Sequence, residues 1–537
     1  MHSATRIALS MLMSVVAAAA VAGDGPNPPW YPSLMASEHY DSGRTHLFEQ
    51  ANFNGSFNRL NQVDVLQSPA DQPYLTPYNV VYRNADSMFI YGGGYGDKGG
   101  QGAYIAKVDP KTLQRVWFKQ LILTGDNWNY PGVAGILKDG FIYVIYGTQL
   151  AKVDPKDGSY KTLTLPTPQQ VPPALGPSPW PSGDTSYNGF DALPDGTIIA
   201  KTVYREYGCT EQGFDAFLDC DQPQAVPKSI LVAIDPEKFE IIGQPTEAAE
   251  YIVGRVTTTR FNGTNYVYLA GSNKVYRYIY DNGQFQLDST FGKPPGGLDY
   301  LPSDSGQNTA SALIVMNNWV VFTTNGGPVK ANDPVQGVCE NPGTPQDPHC
   351  TSPWLTLWAI DQAHPNSNVH HIQPFAQYFP SPPGYDISFA PSSVSVDPLR
   401  NRIFAFDAGP GKIAAIDLQP DGTFQQRWIV DQWTTEFMAL IGPQNRRVLV
   451  TTEIPSGQLP GFNTDNYVVW LDADTGNVLA KSHLLQNLAV NTGTMIEPGY
   501  GGDMYYMVQP NPAQPPPPQA PSYPPGSIIK LSVRPTK

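Results

Sequence analysis

Glu436 opens an apolar run, Phe437-Met438-Ala439-Leu440, so its carboxylate stands where a buried strand should begin. A bare carboxylate there needs a cation, an arginine or amide donors beside it. Seven more residues open comparable runs: Asn79, Tyr130, Asn188, Arg255, Asn308, Ser392 and Asn491. Carboxylate and amide oxygens are ligands that Ca²⁺ takes, which makes Glu436, Asn188 and Asn308 the expected metal ligands. Asn79, Asn188, Asn308 and Asn491 are the expected cofactor-binding set, and Glu436 with Arg255 the expected catalytic pair, Arg255 orienting an anionic group. The plain structural alternative is that these side chains satisfy exposed backbone groups and that Glu436 pairs only with Arg255.

Other chemistry-bearing residues argue for less. Cys209 to Cys220 and Cys339 to Cys350 are each 11 apart in polar insertions, CTEQGFDAFLDC and CENPGTPQDPHC. Neither has metal-binding spacing, so both read as local disulfide staples of an oxidising compartment. His364, His370 and His371 lie near one another, but the segment reads as a loop after Asp361, and neighbouring residues of a strand would face opposite sides. No His occurs from 47 to 348, which disfavours a four-histidine iron oxygenase. Gly92-Gly93-Gly94-Tyr95-Gly96 and Gly99-Gly100 follow a strand with no helix after them, so a nucleotide-binding loop fails. The chain has no C-x-x-C-H for covalent haem and no G-x-S-x-G elbow.

The elements that must position these groups show as a repeat. An apolar strand ending in a [AKL]-[VIL]-D pattern, then a turn and another strand, recurs at Lys107-Val108-Asp109, Lys152-Val153-Asp154, Ala233-Ile234-Asp235, Ala359-Ile360-Asp361, Ala415-Ile416-Asp417 and Leu471-Asp472. Weaker copies lie at YRYIYDNG and IIKLSV. The Asp is suited to cap the turn between the third and fourth strands of a meander. Asp109 to Asp154 is 45 residues, the length of a bare propeller blade, and longer intervals hold insertions such as the Pro-rich 509–525. Charged residues are only 15 % while Gly 49 and Pro 54 are plentiful, which fits an all-β chain that turns often. A formal charge of −14 argues against a general nucleic-acid binder.

LDADTGNVLAK and KVDPKTLQRVW resemble the quinoprotein-like repeat superfamily of β-propellers. The resemblance implies a β-propeller, and counting the repeat marks gives a single closed ring of four-stranded blades over 58–537, with eight blades expected and seven as the alternative. The stretch 58–67 is the expected closing strand and 23–57 an N-terminal extension. Met1–Gly23 has the charge, apolar run and small-residue end of a secretory signal cleaved after residue 22, so the periplasm or medium is expected, and no later run is long enough to span a membrane. The expected function is small-molecule binding at the central funnel by a metal- or quinone-dependent oxidoreductase, with Ca²⁺ and pyrroloquinoline quinone as its cofactors. A lactonase-like hydrolase is the first alternative, and a non-catalytic scaffold that binds protein partners through its loops is the second.

Overall fold

The computed structural model describes residues 29–74, 77–93, 102–122, 132–167, 184–206, 208–209, 226–271, 275–292, 312–324, 355–378, 388, 390, 392–455, 466–485, 496–508 and 526–536. The chain forms eight four-stranded antiparallel sheets, one of which gains a fifth, parallel strand. The first strands of successive sheets neighbour one another round a ring, so the fold is an eight-bladed β-propeller. Those first strands are Pro77–Asn84, Val133–Ile136, Thr185–Ala192, Thr257–Phe261, Ile314–Met316, Ser395–Asp397, Ala439–Ile441 and Ile496–Pro498, which number blades one to eight.

The ring closes through its N-terminal end, as the sequence predicts. Gln62–Gln67 pairs antiparallel with Ser527–Arg534 and becomes the outer strand of blade eight. Closure leaves no first or last blade with an open edge. The repeated Asp caps its turn as expected. Asp109 Oδ1 accepts from the Lys111 N–H at 2.7 Å, Asp235 Oδ1 from Glu237 at 2.8 Å and Asp472 Oδ1 from Asp474 at 2.8 Å. Asp417 departs from the pattern, since it pairs with Arg402 at 2.7 Å and with Arg427. These turns lie at one end of the ring with the first-to-second strand turns, and the longest of them is 362–368. The stretch 49–61 also crosses this end, from the plug to the closing strand, whereas the longest intervals between strands within and between blades, such as 325–355, fall at the other end.

Burial follows the layers of each blade. The second strand of blade three, Ile198–Tyr204, is buried throughout, whereas the fourth strand of blade two, Tyr160–Thr164, is mostly exposed. Packing between blades supplies the cores, and one runs through blades seven, eight and one with Trp470, Tyr506, Ile528 and Tyr104. Two readings need correction or restriction. His370 and His371 stand on a strand, Val369–Ile372, rather than in a loop, and they do face apart, His370 toward Trp319 and His371 toward Trp358. Cys209 is buried and disulfide-bonded, with a partner outside the described residues, where Cys220, Cys339, Cys350, the signal segment, Gly94–Gly100 and most of the Pro-rich stretch also lie.

Candidate functional site

The N-terminal extension is a plug in the channel. From residue 34 to residue 48 the chain makes one circuit of the axis and bonds to the blades in ring order. The Leu34 N–H donates to Tyr500 Oη of blade eight at 3.1 Å. The carbonyls of Met35 and Ala36 accept from Tyr82 of blade one and Ile136 of blade two at 2.8 and 2.7 Å. Ser42 Oγ donates to Ala192 of blade three at 2.7 Å, and its carbonyl accepts from Thr258 of blade four at 3.3 Å. Gly43, Thr45 and His46 carbonyls then accept from Val315, Val396 and Leu440 of blades five, six and seven. Leu47–Phe48 ends the circuit as the parallel fifth strand of blade seven. Glu49 fastens the exit, with its carboxylate 2.7 Å from the fully buried Arg447, which also holds Asp397 at 3.1 Å.

This circuit lays titratable groups on the axis. Glu38 is buried and faces Arg255 of blade four in a close ion pair, Arg44 at 3.3 Å, His39 Nε2 at 3.1 Å and the Tyr78 hydroxyl at 2.6 Å. Burial alone would raise its pKa, but Arg255 foremost, then His39 and Arg44, hold the carboxyl well below its usual range. The Arg255 guanidinium lies over the Tyr78 ring at 4.9 Å. Gly189, at φ +145°, packs beside it, where a Cβ would meet Arg255 Nη1 at 3.4 Å in ordinary contact.

His39 stacks on His46 at 4.5 Å and 8°, and both rings lean on Phe437. Burial lowers the His39 pKa to about 4 and holds His46 well below its ordinary value. His46 Nδ1 lies 3.1 Å from the Met438 carbonyl, which only accepts, so the proton sits on Nδ1 and Nε2 carries a lone pair with no hydrogen-bond partner among the described residues. His39 Nε2, 3.1 Å from the Glu38 carboxylate, is the nitrogen placed to carry the proton, although neither ring nitrogen has a well-aligned hydrogen bond among the described residues, and Nδ1 is left as a buried acceptor. Tyr40, Arg44 and His46 all have positive φ, 79°, 57° and 57°. Such backbone costs about 1 kcal/mol or more per residue and gathers at functional sites.

A cleft lies between this plug and blades two and three, lined by Trp30, Ser37, Glu38, His39, Asp41, Arg44, Gly135, Phe190 and Asp191 among others. Its empty space is about 250 Å³, open solvent included. Ser37 Oγ, like His39 Nδ1, is buried there without a hydrogen-bond partner among the described residues. Asp191 accepts from the Ala192 and Thr258 N–H groups, each at 2.7 Å, yet burial raises its pKa to about 7.

The expected residues that lie within the described part make the following contacts. Asn79 exchanges two hydrogen bonds with Ala134, clamping blade one to blade two. Asn188 donates to the Val253 carbonyl at 2.6 Å and accepts from Lys201 Nζ at 3.1 Å; Ser392 donates to the Thr435 carbonyl. Glu436 is fully buried, accepts from Thr435 Oγ1 at 3.2 Å and acts on Tyr506 of blade eight. Arg255 is therefore joined to Glu38, and Asn188 and Glu436 sit among different partners on opposite sides of the ring. Tyr130, Asn308 and Asn491 lie outside the described residues. Of the expected Ca²⁺ ligands within the described residues, Asn188 and Glu436 do not converge, and the Asn188 side-chain oxygen already accepts from Lys201 Nζ.

The cluster that the sequence reading missed is Glu38-His39-Tyr40-Asp41-Ser42-Gly43-Arg44-Thr45-His46. Five of these nine side chains are acidic, basic or imidazole, in a chain with 15 % charged residues, and that density was the available signal.

No protein-family model matches this chain, and no curated protein matches it. Among solved structures it is similar to BamB from Moraxella catarrhalis, at 9 % identity and TM-score 0.43, covering 88 % of this chain and 100 % of that one. It is also similar to the Dos1 propeller, at 10 % identity and TM-score 0.43, over 80 % and 89 % of the two chains. The dihydro-heme d1 dehydrogenase NirN matches at 10 % and 0.42, over 81 % and 76 %. These likenesses are too remote to carry function.

Proposed function

We propose that this chain is an exported β-propeller that binds a small molecule in its central channel, in the cleft between the N-terminal plug and blades two and three. The supporting observation is the unpartnered, buried Ser37 Oγ and His39 Nδ1 facing one cleft beside Glu38 and Asp191. Buried polar atoms without partners are rare because each costs about 1–3 kcal/mol, so an occupant with its own donors and acceptors belongs there. Asp191, with a pKa near neutrality, and His39 equip the cleft for proton transfer without a bound cation, which suits the hydrolase alternative better than a quinone- or metal-dependent oxidation.

Thermal denaturation of the mature protein against amines, polyols, carboxylates, lactones, Ca²⁺ and pyrroloquinoline quinone tests the channel reading. At least one small organic compound should raise the Tm in a concentration-dependent way in the wild type and not in Ser37→Leu, which fills the cleft. A panel with no effect, or a shift untouched by Ser37→Leu, overturns it.

A further inference from the structure

We infer that Asn262 is a modification site, at which the folded protein converts asparagine to aspartate and isoaspartate. Five asparagines precede a glycine, at 54, 188, 262, 282 and 325, and Asn325 lies outside the described residues. Such pairs are reactive because glycine has no side chain to hinder the approach of its own nitrogen to the neighbouring amide carbon. The Gly263 nitrogen gives its proton to solvent base and bonds to Asn262 Cγ, while the side-chain nitrogen takes a proton from solvent and leaves as ammonia. Water then opens the five-membered imide at either carbonyl, giving aspartate or isoaspartate. The reaction consumes one water, releases one ammonia and transfers no electrons.

Packing separates the four described pairs. Asn188 is buried, and its amide donates to the Val253 carbonyl at 2.6 Å while its oxygen accepts from Lys201 Nζ at 3.1 Å. Asn54 is exposed, but its amide donates to the Gly501 carbonyl at 2.6 Å, and Gly55 lies against the Phe53 ring. Asn282 is exposed too, yet Gly283 is buried against Gly243, where a Cβ would stand 2.9 Å from the Gly243 Cα. Asn262 and Gly263 are both exposed and form the two-residue turn between Thr257–Phe261 and Thr264–Ala270, closed by the pair Phe261 and Thr264. Their φ values are 48° and 84°, a Cβ on Gly263 would meet nothing within 4 Å, and the Asn262 amide has no hydrogen-bond partner among the described residues. Ring closure requires Asn262 to leave its left-handed conformation, a local opening that displaces no neighbour here. The same motion at Asn282 must shift Glu240–Glu247, the outer strand of blade three, which carries Gly243. The product adds a carboxylate to the first turn of blade four, at the end of the ring that bears the Asp-capped turns.

Ageing of the full mature protein at pH 8 and 37 °C, followed by peptide mapping that resolves asparagine, aspartate and isoaspartate, tests the inference. In the folded protein Asn262 should convert at least about tenfold faster than Asn54, Asn188 or Asn282, a barrier difference of about 1.4 kcal/mol. In denaturant the four pairs should convert at similar rates, because packing no longer separates them. Conversion of Asn54, Asn188 or Asn282 as fast as that of Asn262 in the folded protein would overturn the inference. An Asn262 that stays intact in the fold while the denatured chain converts would overturn it too. The same ranking in denaturant as in the fold would show that packing is not its cause, and would overturn the argument for this site.

Discussion

Glu38, His39 and His46 show how an acidic, charge-poor chain tolerates a polar centre. Glu38 stays ionised because two guanidiniums and a phenol surround it, while the two imidazoles stay neutral because burial penalises their charge. An unfolded histidine titrates near 6.5, and His39 in the fold near 4, so between these values the unfolded chain binds more protons. Stability from His39 is therefore complete above about pH 6.5 and is lost as pH falls toward 4, by roughly 3 kcal/mol for a shift of this size. Asp191 acts in the opposite sense: its folded pKa of about 7 lies above the unfolded value, so its contribution weakens as pH rises from about 4 to 7. His39→Leu should consequently narrow the gap in Tm between pH 7.5 and pH 4.5. A gap equal to that of the wild type would show that His39 is not buried and neutral. Little at this scale was legible beforehand. Asn79, Asn188 and Ser392 were found as polar strand openings, but the same residue types serve a ligand or a neighbouring blade equally well, and only the partner distinguishes the two.

Strands and turns were far more legible, because period-two alternation and the Asp-capped turn are local signals. The closing strand follows from the last repeat, which shows three strands and lacks a fourth, and it pairs where expected. Residues 29–51 were read only as part of an extension, since a segment that bonds to eight different blades has no periodicity of its own. The fit between this segment and the first strands is tight. Gly135 on blade two supports Trp30 and Phe190 with no space for a methyl group. Gly135→Ala should cost about 1–3 kcal/mol through forced displacement of those rings, measured by urea denaturation at constant m. An unchanged midpoint would mean that Trp30 does not pack there.

The whole molecule is a ring closed twice, at the rim by Gln62–Gln67 and at the axis by the plug. Both closures come from the first seventy residues, so the last-made blade and the first-made segment must meet before either the edge or the channel is sealed. The end that bears the Asp-capped turns is also crossed by 49–61, which runs from the plug to the closing strand. Blade number was readable from repeat marks, whereas the content of the channel was not, because it depends on contacts between residue 38 and residue 255 or between residue 46 and residue 438. Native-state hydrogen exchange on the amides of residues 29–51 tests the plug most directly. The account predicts that Lys138, Tyr82, Ile136, Val315, Val396 and Leu440, whose N–H groups the segment accepts, and Tyr31 within it exchange as slowly as the second strands of the blades. Exchange of residues 29–51 at the rate of an unstructured tail would contradict it.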